Sequence, residues 1–323
     1  MNLPAAIFAA LGLCAIISSE PARSATFPDK PVTIVVPYSP GGGSDNVSRA
    51  AAKHLSELWR QPVIVENLPG ADGLIGTRRV MKAAPDGYTV LVSIPAIAIF
   101  KHTNKDLEVD PLSQLTPVSL VASGPTAMVV KGQSEIQTIE DLRKVCQPAS
   151  AKCSWASGEP FTLMAGSGLV SSLDLFDRMA NVRYNGTSAA VSDVIGGHIT
   201  LLVTGISSVV PHHRSGALKI LAVSTAERIP DLPDVPTYAE AGMGAVEFTN
   251  NWYGIFAPAG TPDEVKQAIS KGIRSAAQDP AVKKALGPLL ITPVGTTPEE
   301  FEQRLRKDQQ TVERLAAKLP APK

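Results

Sequence analysis

The chain has 323 residues, 44% of them hydrophobic, which is more than one compact core usually holds, so a soluble globule of two domains is expected. Thirty Lys and Arg balance thirty Asp and Glu, leaving no formal net charge, and no basic run or basic stripe interleaved with aromatics occurs. That balance speaks against a nucleic-acid partner, because tracking phosphates requires such a positive surface.

Residues 5–17 form an apolar stretch too short to span a bilayer, followed by a small-residue site at Ala22 and Ser24. Residues 1–25 therefore read as a signal peptide, although no Lys or Arg precedes the apolar run, and a periplasmic location is expected. Beyond that segment two cysteines remain, Cys146 and Cys153. An even count at close range in an exported chain reads as one disulfide. A metal site is not expected there: the nearest histidine in sequence is His198, and no carboxylate lies between the cysteines.

From residue 32 a β-branched run gives way to a glycine loop and then to Val47, Ala51, Leu55 and Leu58 at helical spacing. This predicts a strand over 32–36 and a helix that Pro62 ends. A second strand over 63–65 leads into another glycine loop, 69–76, and a second helix, which stops at Pro85-Asp86-Gly87 before a strand over 88–93. Strands alternating with helices imply a parallel, doubly wound α/β sheet.

A second series follows, with strands over 128–131, 154–156, 182–184, 199–203 and 218–223, and helices over 163–179 and 188–195. Thr138, three residues before Asp141, resembles a capping box. The proline-rich stretch 229–236 is a connection, and 252–256 is a strand. Two further helices open with one signature, Thr261-Pro262-Asp263-Glu264 and Thr297-Pro298-Glu299-Glu300, each with Thr as N-cap and Pro at the first helical position. These helices need a sheet to cover. The economical arrangement returns them to the first lobe, giving lobe 1 over 26–124 plus 225–323, lobe 2 over 125–224, and a hinge with two crossovers.

Pro37-Tyr38-Ser39-Pro40-Gly41-Gly42-Gly43-Ser44-Asp45 places glycines at the carboxyl end of a strand and before a helix. Unpaired backbone N–H groups and the helix dipole make such a turn an anion site, and this edge of an open α/β sheet is where ligands bind. The same residues also serve as a tight turn with Ser44 or Asp45 as N-cap. Asn67 to Gly76 supplies a second glycine loop after the next strand, and two such loops converge on one crevice. Gly70, Gly73 and Gly76 are spaced like a loose dinucleotide fingerprint but lack the G-x-G-x-x-G order, and no G-K-[ST] follows either loop, which excludes a Walker loop. Catalytic candidates are few: His212 and His213 read as a solvated pair, no G-x-S-x-G elbow exists, and Glu159, Asp72 and Asp193 stand as isolated carboxylates.

These two loops, together with Ala-Ala-Pro-Asp-Gly-Tyr-Thr, Leu-Pro-Asp-Val-Pro-Thr from Leu232, and Trp-Tyr-Gly-Ile-Phe-Ala-Pro-Ala-Gly-Thr-Pro from Trp252, resemble the Bug family of periplasmic solute receptors of tripartite tricarboxylate transporters. The resemblance implies a type II periplasmic-binding fold whose two lobes close on a small carboxylate, with no cofactor and no catalytic residue. It implies delivery of the ligand to a membrane permease, or to a signalling partner, by a monomer. Carried over by motif, the proximal site falls on Tyr38, Gly41, Gly42, Gly43, Ser44 and Asp45 with Asn67, Gly70, Ala71 and Gly73; Asp72 and Ser93 are further candidates there. The distal site falls on Ser157, Glu159, Thr162, Tyr184, Thr187 and Thr204. The sequence departs from the family pattern in having Asp72 where a small residue is usual, Ser-Gly-Glu-Pro-Phe-Thr where the second lobe usually has a Gly/Ser-rich run with a histidine after it, and Thr204 where an acidic or amide residue is common. Glu159 then either meets a ligand ammonium group or caps a helix. The rival reading is an enzyme of doubly wound fold that cradles a phosphate or nucleotide.

Overall fold

The computed structural model describes residues 27–316 apart from 105, 106, 185, 245 and 248, so the expected signal peptide lies outside the described residues. In chain order the first lobe builds β1 (Val32–Val36), α1 (Gly43–Trp59), β2 (Val63–Asn67), α2 (Leu74–Met81), β3 (Thr89–Ser93), and the short α3 (Phe100–Thr103) and α4 (Pro111–Gln114). Strand β4 (Leu115–Lys131) leads into α5 (Ile139–Cys146), β5 (Cys153–Ser157), α6 (Pro160–Ser172), β6 (Met179–Arg183), α7 (Thr187–Gly196), β7 (Leu201–Gly205), α8 (Val210–Arg214) and β8 (Leu218–Val223). The chain ends with β9 (Asn250–Pro258), α9 (Asp263–Gln278), α10 (Pro280–Leu286), β10 (Thr292–Pro293) and α11 (Pro298–Ala316).

β1 runs parallel to β2 and β3, as the alternating pattern predicts. The main strand path is β2-β1-β3-β9-β4-β7-β5-β6, with β8 and β10 also on β4. Strand β4 joins the halves: from Leu115 to Pro125 it pairs antiparallel with β9, and from Thr126 onward with β7 and β8. The sequence pattern predicts only its last four residues. Pro117, Gly124 and Pro125 break the alternation, and two register shifts against β9 absorb the irregularity.

Helix α6 is shorter than the periodicity predicts, because the chain turns at Asp174 (φ 57°) and is already a strand at Met179. Gly166 inside it is a packing device: a Cβ there would lie 2.5 Å from the Trp155 ring. The capping box at Thr138 and Asp141 forms, and so does the one at Thr297 and Glu300. At Thr261 it does not. Helix α9 starts after Pro262, and the Thr261 hydroxyl donates to the Pro258 carbonyl at 2.8 Å.

Helices α9 and α11 cover the first sheet. Trp252, Phe256 and Phe301 pack edge to face in its core, and the buried Asp308 accepts the Trp252 indole N–H at 2.7 Å. The return to the first lobe comes later than residue 225. Leu232, Val235, Tyr238 and Met243 are buried in the second lobe's cores, and the Tyr238 N–H bonds the Val223 carbonyl at 2.8 Å. The apolar positions around the prolines of 229–236 therefore extend the second lobe, and the first sheet is rejoined at Asn250.

Cys146, at the end of α5, is bonded to Cys153, at the start of β5, with Cα atoms 5.6 Å apart. The intact protein is expected to weigh two mass units less than its reduced form. Replacing both cysteines by serine is expected to lower unfolding free energy by roughly 2 to 3 kcal/mol, the loop-closure value for so short a ring; equal denaturation midpoints would refute that.

Candidate ligand-binding crevice

The first glycine loop is held open by side chains just outside it. Asp45 accepts the Gly41 N–H (2.9 Å), the Arg49 Nε (3.0 Å) and the Asn67 Nδ2 (3.0 Å), while Asn67 Nδ2 also reaches the Tyr38 carbonyl at 3.2 Å. Burial lifts the Asp45 carboxyl, but the bonds from Arg49, Gly41 and Asn67 outweigh it and hold the group below the usual carboxylate range. Asp45 and Asn67 thus clamp the first loop to the second. Helix α1 begins on Gly42 with no side-chain cap, so its first N–H groups have no side-chain acceptor at the N-cap.

The second loop is strained. Gly70, Ala71, Asp72 and Gly73 have φ of 130°, 48°, 56° and 100°. Left-handed Ala and Asp cost about 1 kcal/mol or more each, and such strain persists where surrounding structure or function demands it. From the second lobe come the ends of α6, whose N-cap Glu159 donates its backbone N–H to Thr162 Oγ1 at 3.2 Å, and of α7, whose N-cap is Gly186 without a side-chain cap. Gly158 must be glycine: a Cβ there would lie 2.8 Å from the Thr187 nitrogen, where the Gly186 N–H meets the Gly158 carbonyl at 3.0 Å.

These segments enclose a crevice of about 710 Å³ between the lobes. Tyr38, Gly41, Gly42, Gly43, Ser44, Gly70, Ala71, Asp72, Gly73, Glu159 and Thr187 line it. Seven of the predicted contacts stand behind the wall. Besides Asp45 and Asn67, Ser93 turns its hydroxyl to the Ile94 carbonyl (3.5 Å), the Ser157 carbonyl accepts the Tyr184 N–H, and the Thr162 hydroxyl bonds the Glu159 backbone. Tyr184 Oη donates to Asp193, and Thr204 Oγ1 meets Thr187 Oγ1 at 3.3 Å. Thr204 thus braces the lining Thr187, and Thr162 the lining Glu159.

The sequence reading misses the lining face of α7, formed by Ser188, Ser192 and Ile195, and it misses Ser208 and His212. Spacing of four and three residues on α7 signals one helix face, but not which wall that face supplies. The histidine pair separates: His212 lines the crevice, while His213 Nδ1 lies 3.4 Å from the Leu218 carbonyl and the Ile220 nitrogen. Arg183, at the end of β6, lies 3.5 Å from Asp72 across the lobes. Both side chains are substantially exposed, so this pair sets charge and contributes little stability.

Glu159 is half-buried, and burial, with the Asp72 carboxylate acting in the same direction, pushes its carboxyl up to about 7. Burial and the Glu159 charge likewise raise the Tyr38 hydroxyl well above its ordinary range. Gly43 is a point where the lobes meet: a Cβ there would overlap Tyr253 Oη of its own lobe and lie 2.8 Å from Ser207 Oγ of the second. Gly43→Ala is expected to displace Tyr253, press on Ser207 and so hold the lobes apart, weakening ligand binding at least tenfold. A larger radius of gyration by small-angle scattering checks this, and wild-type affinity would contradict it.

The sequence model of the tripartite tricarboxylate transporter family receptor, TctC, matches residues 47–319. The chain belongs to this family. A UPF0065 protein of Bordetella bronchiseptica is 34% identical to it over 282 residues, covering 84% of this chain and 81% of the relative. Among solved structures, the periplasmic binding protein BugD superposes with a TM-score of 0.83 at 28% identity, covering 90% of this chain and 98% of that one. MatC from Rhodopseudomonas palustris, solved with bound malate, gives 0.81 at 25% identity, covering 90% and 100%. The fold is that of a type II periplasmic-binding protein, and the TctC receptor described here is a solute-binding protein.

Proposed function

We propose that this TctC receptor is exported to the periplasm, captures a small carboxylate in the crevice as a monomer, and delivers it to a membrane permease without chemical change. The carrying observation is that two helices whose N-caps are glycines without side-chain caps, α1 from the first lobe and α7 from the second, end on the same crevice. A helix N-terminus favours an anion through its dipole and free N–H groups. Two of them on opposite walls suit a ligand with an acid group toward each lobe, and bound malate in MatC is of that kind. The proximal carboxylate rests on Gly42, Gly43 and Ser44 with the Gly70 to Gly73 turn, and the distal part on Thr187 and Ser188. Strand β4 and the return into β9 are the two crossovers about which the lobes close.

A thermal-shift screen tests this on the mature chain, unfolded and refolded to remove any co-purified ligand. Di- and tricarboxylates, amino acids, aromatic acids and nucleotides form the panel. A ligand at 100 times its Kd adds about 2.7 kcal/mol, a clear rise in Tm. A response confined to nucleotides or phosphate esters would overturn the reading in favour of a phosphate-cradling enzyme.

A further inference from the structure

We propose that Glu159, with Asp72 and Tyr38 beside it, forms a subsite for a positively charged group, so that the acid this receptor captures is a zwitterion carrying an ammonium group. The inference rests on the carboxylate-receptor reading above and narrows its ligand class.

Both carboxylates line the crevice, and they come from different lobes: Asp72 from the left-handed turn after β2, Glu159 from the start of α6. Asp72 has a cation, Arg183, at 3.5 Å. Among the described residues Glu159 has none, and the charge that acts on it is Asp72 itself. One arginine against two carboxylates leaves the spot one negative charge in excess. An independent feature marks the same place. Tyr38 Oη is buried and makes no hydrogen bond of good geometry among the described residues; the Ser93 hydroxyl is close enough to act on it, and the charges bearing on it are those of Glu159 and Asp72.

A half-buried carboxylate without a counter-ion, and a buried hydroxyl with no well-formed hydrogen bond, each cost free energy that a donor entering the crevice would recover. An ammonium group offers three N–H donors and a positive charge, which matches two carboxylates and a hydroxyl oxygen. A plain diacid also suits the two helix ends, but it brings further negative charge toward Glu159 with nothing to offset it. The acid groups of the ligand then sit on the helix N-termini and its ammonium beside Glu159, while Arg183 stays on Asp72.

The test is calorimetric titration of the refolded, ligand-stripped chain at pH 8 with carbon-matched pairs: glutamate against glutarate, aspartate against succinate, and γ-aminobutyrate against butyrate. The expected result is that at least one amino acid binds at least tenfold more tightly than its amine-free partner. Glu159→Gln should weaken that amino acid at least tenfold while leaving the partner acid unchanged or tighter. Asp72→Asn should shift the ratio in the same direction by less, and it carries the comparison if Glu159→Gln does not fold by circular dichroism. Amine-free acids binding as tightly as the amino acids, or Glu159→Gln weakening both members of a pair alike, sinks the subsite and leaves the carboxylate reading standing. If no carboxylate of any class binds, both fall.

Discussion

Gly42→Asp is expected to abolish carboxylate binding, with at least a hundredfold loss of affinity, while leaving the fold intact or slightly more stable. Gly42 is the N-cap of α1, in extended conformation at φ −75°, and a Cβ there would meet only the Ser39 carbonyl at an unstrained 3.6 Å. Aspartate is among the best N-cap residues, because its carboxylate accepts from the first free N–H groups and complements the helix dipole. Those are the groups that the proposed mechanism reserves for the ligand. The variant therefore carries its own anion into the site. Its stabilising effect on the helix, of order 1 kcal/mol, is reduced by repulsion from Asp45 one turn away, so little net change in Tm follows. The paired measurement decides between two roles for the loop. If it were only a tight turn, Asp would cap the helix and the thermal response to ligand would persist. Lost response with retained Tm identifies the loop as the proximal site.

The first lobe was legible because its signals are local. A β-branched run followed by glycines and a helix-spaced series names β1, its loop and α1 without reference to the rest of the chain, and the same holds for β2. What escaped was decided by distant partners. Strand β4 pairs with β9 some 130 residues later, across two prolines and a glycine that weaken its alternation locally. Residues 229–236 look like a connector because prolines punctuate them, yet Leu232 and Val235 find a core in the second lobe. The site shows the same division. The glycine loops were readable as anion cradles, whereas the roles of Asp45 and Asn67 depended on which way their side chains turned. The pairing of Arg183 with Asp72 joins residues on opposite lobes, and no spacing rule links them.

Glu159→Gln should raise the stability of the ligand-stripped protein at pH 8 and leave it unchanged at pH 4. Burial and the Asp72 charge hold the Glu159 carboxyl at about 7, against an ordinary 4.5. For an acid whose folded pKa is raised, the folded state binds the proton more tightly than the unfolded chain. The associated stability is therefore fully present below about pH 4.5 and is lost as pH rises through 7. The difference converts to roughly 3 kcal/mol, reduced to about 2 because the side chain is only half-buried and water screens part of the repulsion. Gln carries no charge at either pH, so the variant escapes the loss and its Tm at pH 8 should exceed that of the wild type by roughly 4 to 8 °C. Among the described residues, Asp72, Tyr38 and Tyr253 are the titratable groups that interact with the Glu159 charge, Arg183 pairs with Asp72, and His212 lines the same crevice; none is altered by the substitution. Equal midpoints at pH 8 would show that Glu159 is already relieved by solvent or by a neighbour, and would remove the reason for a ligand cation there. A higher midpoint for the variant, lost when the wild type binds an amino acid, would mean that the receptor keeps an unfavourable charge in its crevice and recovers that free energy only when the ligand arrives. Binding then gains strength for the ligand that carries a cation, and stability without ligand is what the chain gives up for it.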